Sequence, residues 1–280
     1  MIDNTLPTLA RFSAYQERYL DKLYKHLPGF ERFGTVVQCF LRDIIKRGEF
    51  YLRVPVKVLP LVLESGEIKN VLQCEKRPDM GNGQNRVQAV HAMFDCDTAS
   101  LKPEDYPRFG YLSDPNPNSN IFISGEMGYQ YGDVVFRLRK DRLMTRTTLT
   151  FGDSLNFGRC FGMVPTAVTE VQPTCIWGLP NGHGTPLQSL PDPGLLWRYI
   201  ASKIMNNTLT VKNFAMINNL TDELPYFEFF ELQFHGGLKV PEDIAGIDVY
   251  LSDYKEYSEI MQGAEVYCRA HSLDFGTHQM

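Results

Sequence analysis

The 280-residue sequence contains no apolar run near the roughly 20 residues that a membrane helix needs. Its opening residues, M-I-D-N-T-L-P, lack the positive segment and apolar core of a secretory signal. Six cysteines, Cys39, Cys74, Cys96, Cys160, Cys175 and Cys268, are spread without a C-x-x-C pair. That spacing excludes a structural zinc knuckle and fits reduced thiols, so a cytoplasmic protein without a membrane partner is expected. His26, His91, His183, His235, His271 and His278 form neither H-x-x-x-H nor H-x-E, and no metal is predicted. A basic stripe is missing as well: 28 Lys and Arg stand against 33 Asp and Glu, a net charge of −5, which argues against nucleic acid as a main partner. Gly81-x-Gly83 is not a dinucleotide fingerprint, because Arg86 stands where the third glycine belongs and no strand leads into it. Asn206-Asn207-Thr208 and Asn219-Leu220-Thr221 match the glycosylation sequon but have no secretory signal to go with it. Internal repeats and low-complexity tracts are absent too.

What is present is an ordinary globular composition, 43% hydrophobic and 22% charged, in a length that suits one large domain or two small ones. The most informative stretch is Tyr226 to Gly237, Y-F-E-F-F-E-L-Q-F-H-G-G. Glu231, Gln233 and His235 alternate with Phe230, Leu232 and Phe234, and in a strand a period of two puts the polar trio on one face and the apolar trio on the other. A carboxylate, a carboxamide and an imidazole in a row suit the wall of a cleft. The same pattern also fits an edge strand whose polar face meets water.

Around that strand, amphipathic helices are predicted over residues 8–26 and from Val36 to about Gly48, with a break at Leu27-Pro28-Gly29. F-Y-L-R-V-P, residues 50–55, reads as a strand with Arg53 in it, followed by a short helix that ends at Gly66. A half-buried arginine at that place needs an anion or a carboxylate. Asp79-Met80-Gly81-Asn82-Gly83 reads as a turn and Arg86 to Phe94 as a helix. Further strands are predicted at Arg108–Leu112, Tyr131–Leu138, Thr145–Phe151 and Ile244–Leu251, with Lys140-Asp141-Arg142 as a polar link. Helices are predicted at Leu195–Met205, Val211–Asn218 and Tyr254–Cys268, and Trp177 to Gly184 reads as a loop. The order of elements gives an α+β fold rather than alternating βαβ units.

Three of these pieces, in chain order, carry a resemblance: Arg53 in an early strand followed by a helix, the Thr-rich strand with Thr148 and Thr150, and the late strand with Glu231. The sequence resembles the ADP-ribosyltransferase superfamily of the arginine, serine, glutamate type. Y-G-D-V-V-F-R-L, R-T-T-L-T-F-G-D-S and F-F-E-L-Q-F-H-G are also similar to a bacterial family of unknown function placed in that superfamily. More loosely, the chain resembles a divergent Legionella effector ADP-ribosyltransferase. The resemblance covers about residues 50–252. It implies a split β-sheet core in a catalytic domain over residues 49–280, preceded by a helical N-terminal cap over residues 1–48. It further implies NAD as co-substrate, Glu231 as the catalytic residue, and Arg53, Thr148 and Thr150 as cofactor-binding residues, with Gln233 and His235 farther along the same face in reach of ribose or acceptor. A protein acceptor is implied, and with it the role of a bacterial toxin or virulence effector translocated into a host cytosol.

Two features depart from the family pattern. Phe229 occupies the position two before Glu231 where arginine-modifying members carry Glu or Gln; Glu228, three before, belongs to the opposite strand face. Threonine replaces the usual serine of the middle strand. The acceptor therefore stays open, and two alternatives stand beside the transferase: an NAD glycohydrolase on the same fold, and a catalytically silent nucleotide- or protein-binding module.

Overall fold

Apolar residues at steps of three and four between Phe30 and Arg47 fold as helix α1 (Phe30–Arg47), which buries Val37, Phe40, Leu41, Ile44 and Ile45 in the main core. The computed structural model to which it belongs describes residues 5–11, 13, 30–74, 87, 90, 93–94, 100–115, 131–151, 175–178, 183–186, 193–215 and 229–279. A helix end leaves carbonyls without intrahelical donors. Here Lys140 Nζ donates to the carbonyls of Ile45 (3.1 Å), Lys46 (3.1 Å) and Gly48 (2.7 Å). Replacing Lys140 with Met keeps the aliphatic stem and removes this cap, and is expected to lower stability by about 1 kcal/mol in urea unfolding.

The chain then enters β1 (Glu49–Val54), which Pro55 ends. A 3₁₀ turn at Val56–Val58 leads into α2 (Leu59–Ser65), with Pro60 tolerated in its first turn and Gly66 closing it at φ 65°. After β2 (Glu67–Ile68) come β3 (Arg108–Ser113), β4 (Val134–Leu138), α3 (Lys140–Leu143), β5 (Thr147–Phe151), β6 (Cys175–Gly178) and β7 (His183–Pro186). α4 (Pro193–Met205), β8 (Phe230–Phe234), β9 (Leu238–Lys239), β10 (Ile244–Leu251), α5 (Ser258–Ala270) and β11 (Asp274–Gln279) complete the order. Among the described residues, nine strands form one sheet in the order β11-β10-β4-β1-β3-β8-β5-β6-β7, and β2 pairs with β9 in a small second ladder. Every neighbouring pair in the large sheet is antiparallel except β10 and β11, whose crossover is α5. The fold is α+β, as the pattern predicts.

Two expectations are corrected. Residues 177–184 are not a plain loop: Trp177 and Gly178 pair with Gly184 and His183 in a β6–β7 hairpin. The last helix starts at Ser258 rather than Tyr254, after a turn in which Asp253 Oδ1 accepts from the Lys255 backbone N–H at 2.9 Å. The predicted helices over residues 8–26 and 86–94, the turn at 79–83 and the strand start at Tyr226–Glu228 lie wholly or mostly outside the described residues. No described helix is long and apolar enough to cross a membrane.

The two sheet faces differ in chemistry. One carries Phe50, Leu52, Val134, Phe136, Leu149, Phe151, Phe230, Leu232, Phe234, Ile247 and Val249 into a single core shared with α1, α2, α4 and α5. The other carries a cluster of four aromatic residues, Tyr51, Tyr111, Phe229 and Tyr250, with Val135, flanked by Tyr131. A third cluster, Leu9, Val90, Met93, Phe94 and Tyr106, packs near the end of β8.

Candidate functional site

Antiparallel register decides which side chains share a face, because residues directly opposite project the same way. Tyr51 of β1 faces Tyr111 of β3, Tyr111 faces Glu231 of β8, and Glu231 faces Thr150 of β5. The next row on the same face holds Phe109, Gln233 and Thr148. Arg53, two residues beyond Tyr51, projects from this face as well. Ladder spacings of ~4.8 Å between strands and ~3.3 Å along them put the Cα atoms of Arg53 and Glu231 roughly 12 Å apart. Pairing between β1 and β3 covers Glu49 to Tyr51 only, although β1 stays paired with β4 through Val54. The ladder therefore opens between β1 and β3 beside Arg53.

Arg53 is 9% exposed and donates from Nε to the carbonyl of Gly132 at 2.7 Å, with its guanidinium 6.0 Å from the centre of the Tyr250 ring. Gly132 has φ 105°, and a Cβ there would collide with the backbone of Val54 and Pro55. Only glycine lets this turn come close enough to β1 to aim its carbonyl at Arg53. The Gly132 carbonyl is thus a backbone partner of Arg53, where the sequence leads one to expect an anion or a carboxylate.

β8 lies between β3 and β5, so the alternative of a wet edge strand is overturned. Glu231 is 3% exposed, and Gln233 and His235 are 0% exposed. Gln233 Nε2 donates to Glu231 Oε1 and to Thr150 Oγ1, both at 2.9 Å. Thr148 Oγ1 donates to Gln233 Oε1 at 2.8 Å and lies 3.0 Å from His235 Nε2. Thr8 Oγ1 is 2.6 Å from His235 Nδ1. The amide orientation of Gln233 follows, since the opposite one would set its oxygen against a carboxylate. The structure therefore brings Glu231, Gln233, Thr148, Thr150 and His235 into one hydrogen-bonded group and places Arg53 across the opening from it. Thr147, which faces the other way, donates to the Leu143 carbonyl at 2.7 Å.

Burial, with a smaller contribution from Arg146, lowers the His235 pKa from 6.5 to about 3, so the ring is neutral at physiological pH. The unfolded chain then takes up a proton below about pH 6.5 that the folded protein refuses until about pH 3. Stability is expected to fall with pH across that window, by up to about 1.4 kcal/mol per pH unit. Urea titrations of the wild type and His235→Asn at pH 7 and pH 4.5 check this, with the variant losing the His235 share of the slope.

Residues that the sequence did not single out also belong to the site. Tyr51 and Tyr111 stack with centroids 5.5 Å apart and lie in the row between Arg53 and Glu231. Burial, reinforced by Tyr111 and Glu49, raises the Tyr51 pKa well above its usual value, and burial with Asp248 raises that of Tyr250, so both keep their phenolic protons. Their period-two placement in β1 and β10 was visible; that the two strands shared a face with Glu231 was not. Thr8 comes from a segment with no chemical signal at all. Among the described residues, no group of three His, Cys, Asp or Glu side chains could hold a metal ion.

No protein-family model matches the sequence, and no curated protein does either. Two solved structures of a DarT protein from Thermus sp. 2.9 are similar in chain path. The first, in complex with NAD+, superposes with a TM-score of 0.41 at 10% identity, and the second, in complex with carba-NAD+, with a TM-score of 0.37 at 9% identity; each match covers 83% of this chain and 96% of the other.

Proposed function

We propose that the protein is an NAD-dependent mono-ADP-ribosyltransferase, with residues 49–280 as its catalytic domain and residues 1–48 as a helical cap. The observation that carries this reading is the placement of Glu231 and Arg53 on one sheet face, on either side of the opening between β1 and β3. Arg53 would take the NAD phosphates or the nicotinamide ribose, its fork matching an anion. Tyr51 and Tyr111 would form the floor between the two ends.

Glu231 supplies the chemistry in this reading. As the bond between ribose C1′ and the nicotinamide nitrogen breaks, its electron pair leaves with nicotinamide and positive charge grows on the ribose. A fixed carboxylate in a site nearly closed to water stabilises that charge more in the transition state than in the ground state. Acceptor oxygen, nitrogen or sulfur then bonds to C1′ and gives its proton to solvent. Thr148 and Thr150 belong to the pocket wall. Gln233 and His235, being wholly buried, act from behind the carboxylate.

The test is incubation with labelled NAD and a cell lysate, beside Glu231→Gln. A labelled protein band that vanishes in the variant supports the transferase. Free nicotinamide without any band indicates the glycohydrolase, and absence of NAD binding by calorimetry sinks both in favour of a binding module. A bacterial effector or toxin role, with delivery into a host cytosol, is part of the proposal and rests on the sequence resemblance.

A further inference from the structure

Hydrogen counting around His235 gives the group a direction. Thr148 has one hydroxyl hydrogen, and Gln233 Oε1 takes it at 2.8 Å. Toward His235, then, Thr148 can only accept, so the ring hydrogen sits on Nε2. A neutral ring leaves Nδ1 as an acceptor, and Thr8 must donate to it at 2.6 Å. The sequence of donations is Thr8 to His235, His235 to Thr148, Thr148 to Gln233, and Gln233 to Glu231. Each bond polarises the next toward the carboxylate.

The outer end is held by packing. Thr8 is fully buried, and Leu9 beside it joins Val90, Met93, Phe94 and Tyr106. The Phe94 ring meets His235 edge-on, with centroids 5.0 Å apart. Leu6 closes over Gly236, 3.2 Å from where a Cβ would stand. This N-terminal segment is thus built onto the back of the candidate site, from 223 residues away in sequence at Thr8 and Glu231.

We propose that Thr8, His235, Thr148 and Gln233 form a one-way relay of hydrogen bonds that fixes the Glu231 carboxylate, with the N-terminal segment as its outer anchor. The proposal rests on the transferase or glycohydrolase reading for its kinetic consequence, but its geometry does not. Thr8 and His235 are positioning residues: neither reaches the reacting atoms.

Thr8→Val and Thr148→Val replace the hydroxyl with a methyl of similar size. In nicotinamide release, each is expected to lower kcat about tenfold, the equivalent of one charge-assisted hydrogen bond, and Thr8→Val, which lies away from the pocket wall, should leave KM for NAD unchanged. The double variant should be no worse than about the poorer single one, because both break the same relay. Thr8→Ser should restore most of the rate. Unchanged kcat in both single variants, or a double variant at the product of the two losses, overturns the relay.

A second measurement stands apart from activity. Nitrogen-15 spectra of labelled histidine should show His235 with its hydrogen on Nε2, and Thr8→Val should shift the Gln233 side-chain amide signal. A hydrogen on Nδ1, or an unmoved amide, overturns the relay even in an active enzyme. Correct spectra in a protein that neither binds nor cleaves NAD would instead uphold the relay and discard the enzymatic reading.

Discussion

Glu231→Gln is expected to lower nicotinamide release by about 10²- to 10³-fold, a loss of roughly 3 to 4 kcal/mol in the barrier, while leaving the fold intact. The substitution keeps an oxygen where Gln233 Nε2 donates, so the 2.9 Å hydrogen bond has a ready replacement. It also removes a charge that is 3% exposed, whose burial away from water is itself costly. What it takes away is the negative charge that, in the proposed reaction, opposes the growing cation. Affinity for NAD should change little, since the ground-state contacts proposed for Arg53 and the tyrosine floor would be untouched. The check is a pair of measurements: single-turnover nicotinamide release and calorimetric NAD binding, beside thermal melts of both proteins. An active variant with normal binding would return Glu231 to the status of a buried structural carboxylate.

The parts of this site that could be read in the sequence are those set by local period. Alternation in β8 correctly put Glu231, Gln233 and His235 on one face, and alternation in β5 put Thr148 and Thr150 together. Strands β1, β3 and β10 and helix α4 also fell within a few residues of their patterns. What local pattern cannot give is strand order. Thr148 faces Gln233 across 85 residues of sequence, and Tyr111 faces Glu231 across 120, so whether the polar face of β8 is wet or buried depends on contacts that no short window contains. β11 was missed for a different reason. Asp274-Phe275-Gly276-Thr277-His278-Gln279 is half exposed at the sheet edge and lacks the apolar alternation of a buried strand. It is held by the ladder to β10 and by the stack of His278 on Tyr250, with centroids 4.4 Å apart, and both are invisible in its own residues. Arg53 was legible as an arginine in need of a partner, but Gly132, 79 residues away, was not.

The largest loss of stability is expected from Arg108→Met, at about 3–5 kcal/mol, or a fall in Tm of roughly 6–20 °C. Arg108 opens β3, yet its side chain is 1% exposed. Its Nε donates to the Ile68 carbonyl at 3.1 Å, and Nη1 serves the carbonyls of Glu104 (3.0 Å), Tyr106 (3.3 Å) and Gly236 (2.8 Å). Nη2 donates to Glu67 Oε1 at 3.0 Å and Gln73 Oε1 at 2.6 Å. One guanidinium thus ties together β2, the 3₁₀ turn at Val71–Gln73, the turn at Pro103–Asp105 and the exit of β8. Burial pulls its pKa below the usual guanidinium value, and Glu67 works against that shift, as a charge held by its partners requires. Methionine fills much of the volume but takes the Arg108 donors from four carbonyls, a carboxamide and a carboxylate; Tyr106 O and Gln73 Oε1 keep Asn70 as a donor, and each buried acceptor left with none costs about 1–3 kcal/mol before relaxation. Lysine keeps the charge but not the fork, and is expected to recover only a minor part of the loss. The Gly236 bond gives this a consequence for the site: Gly236 follows His235 directly, so a loosened exit of β8 removes the support behind Glu231. Nicotinamide release in Arg108→Met should therefore fall with the folded fraction and recover when the protein is cooled, whereas in Glu231→Gln it should stay low in a fully folded protein.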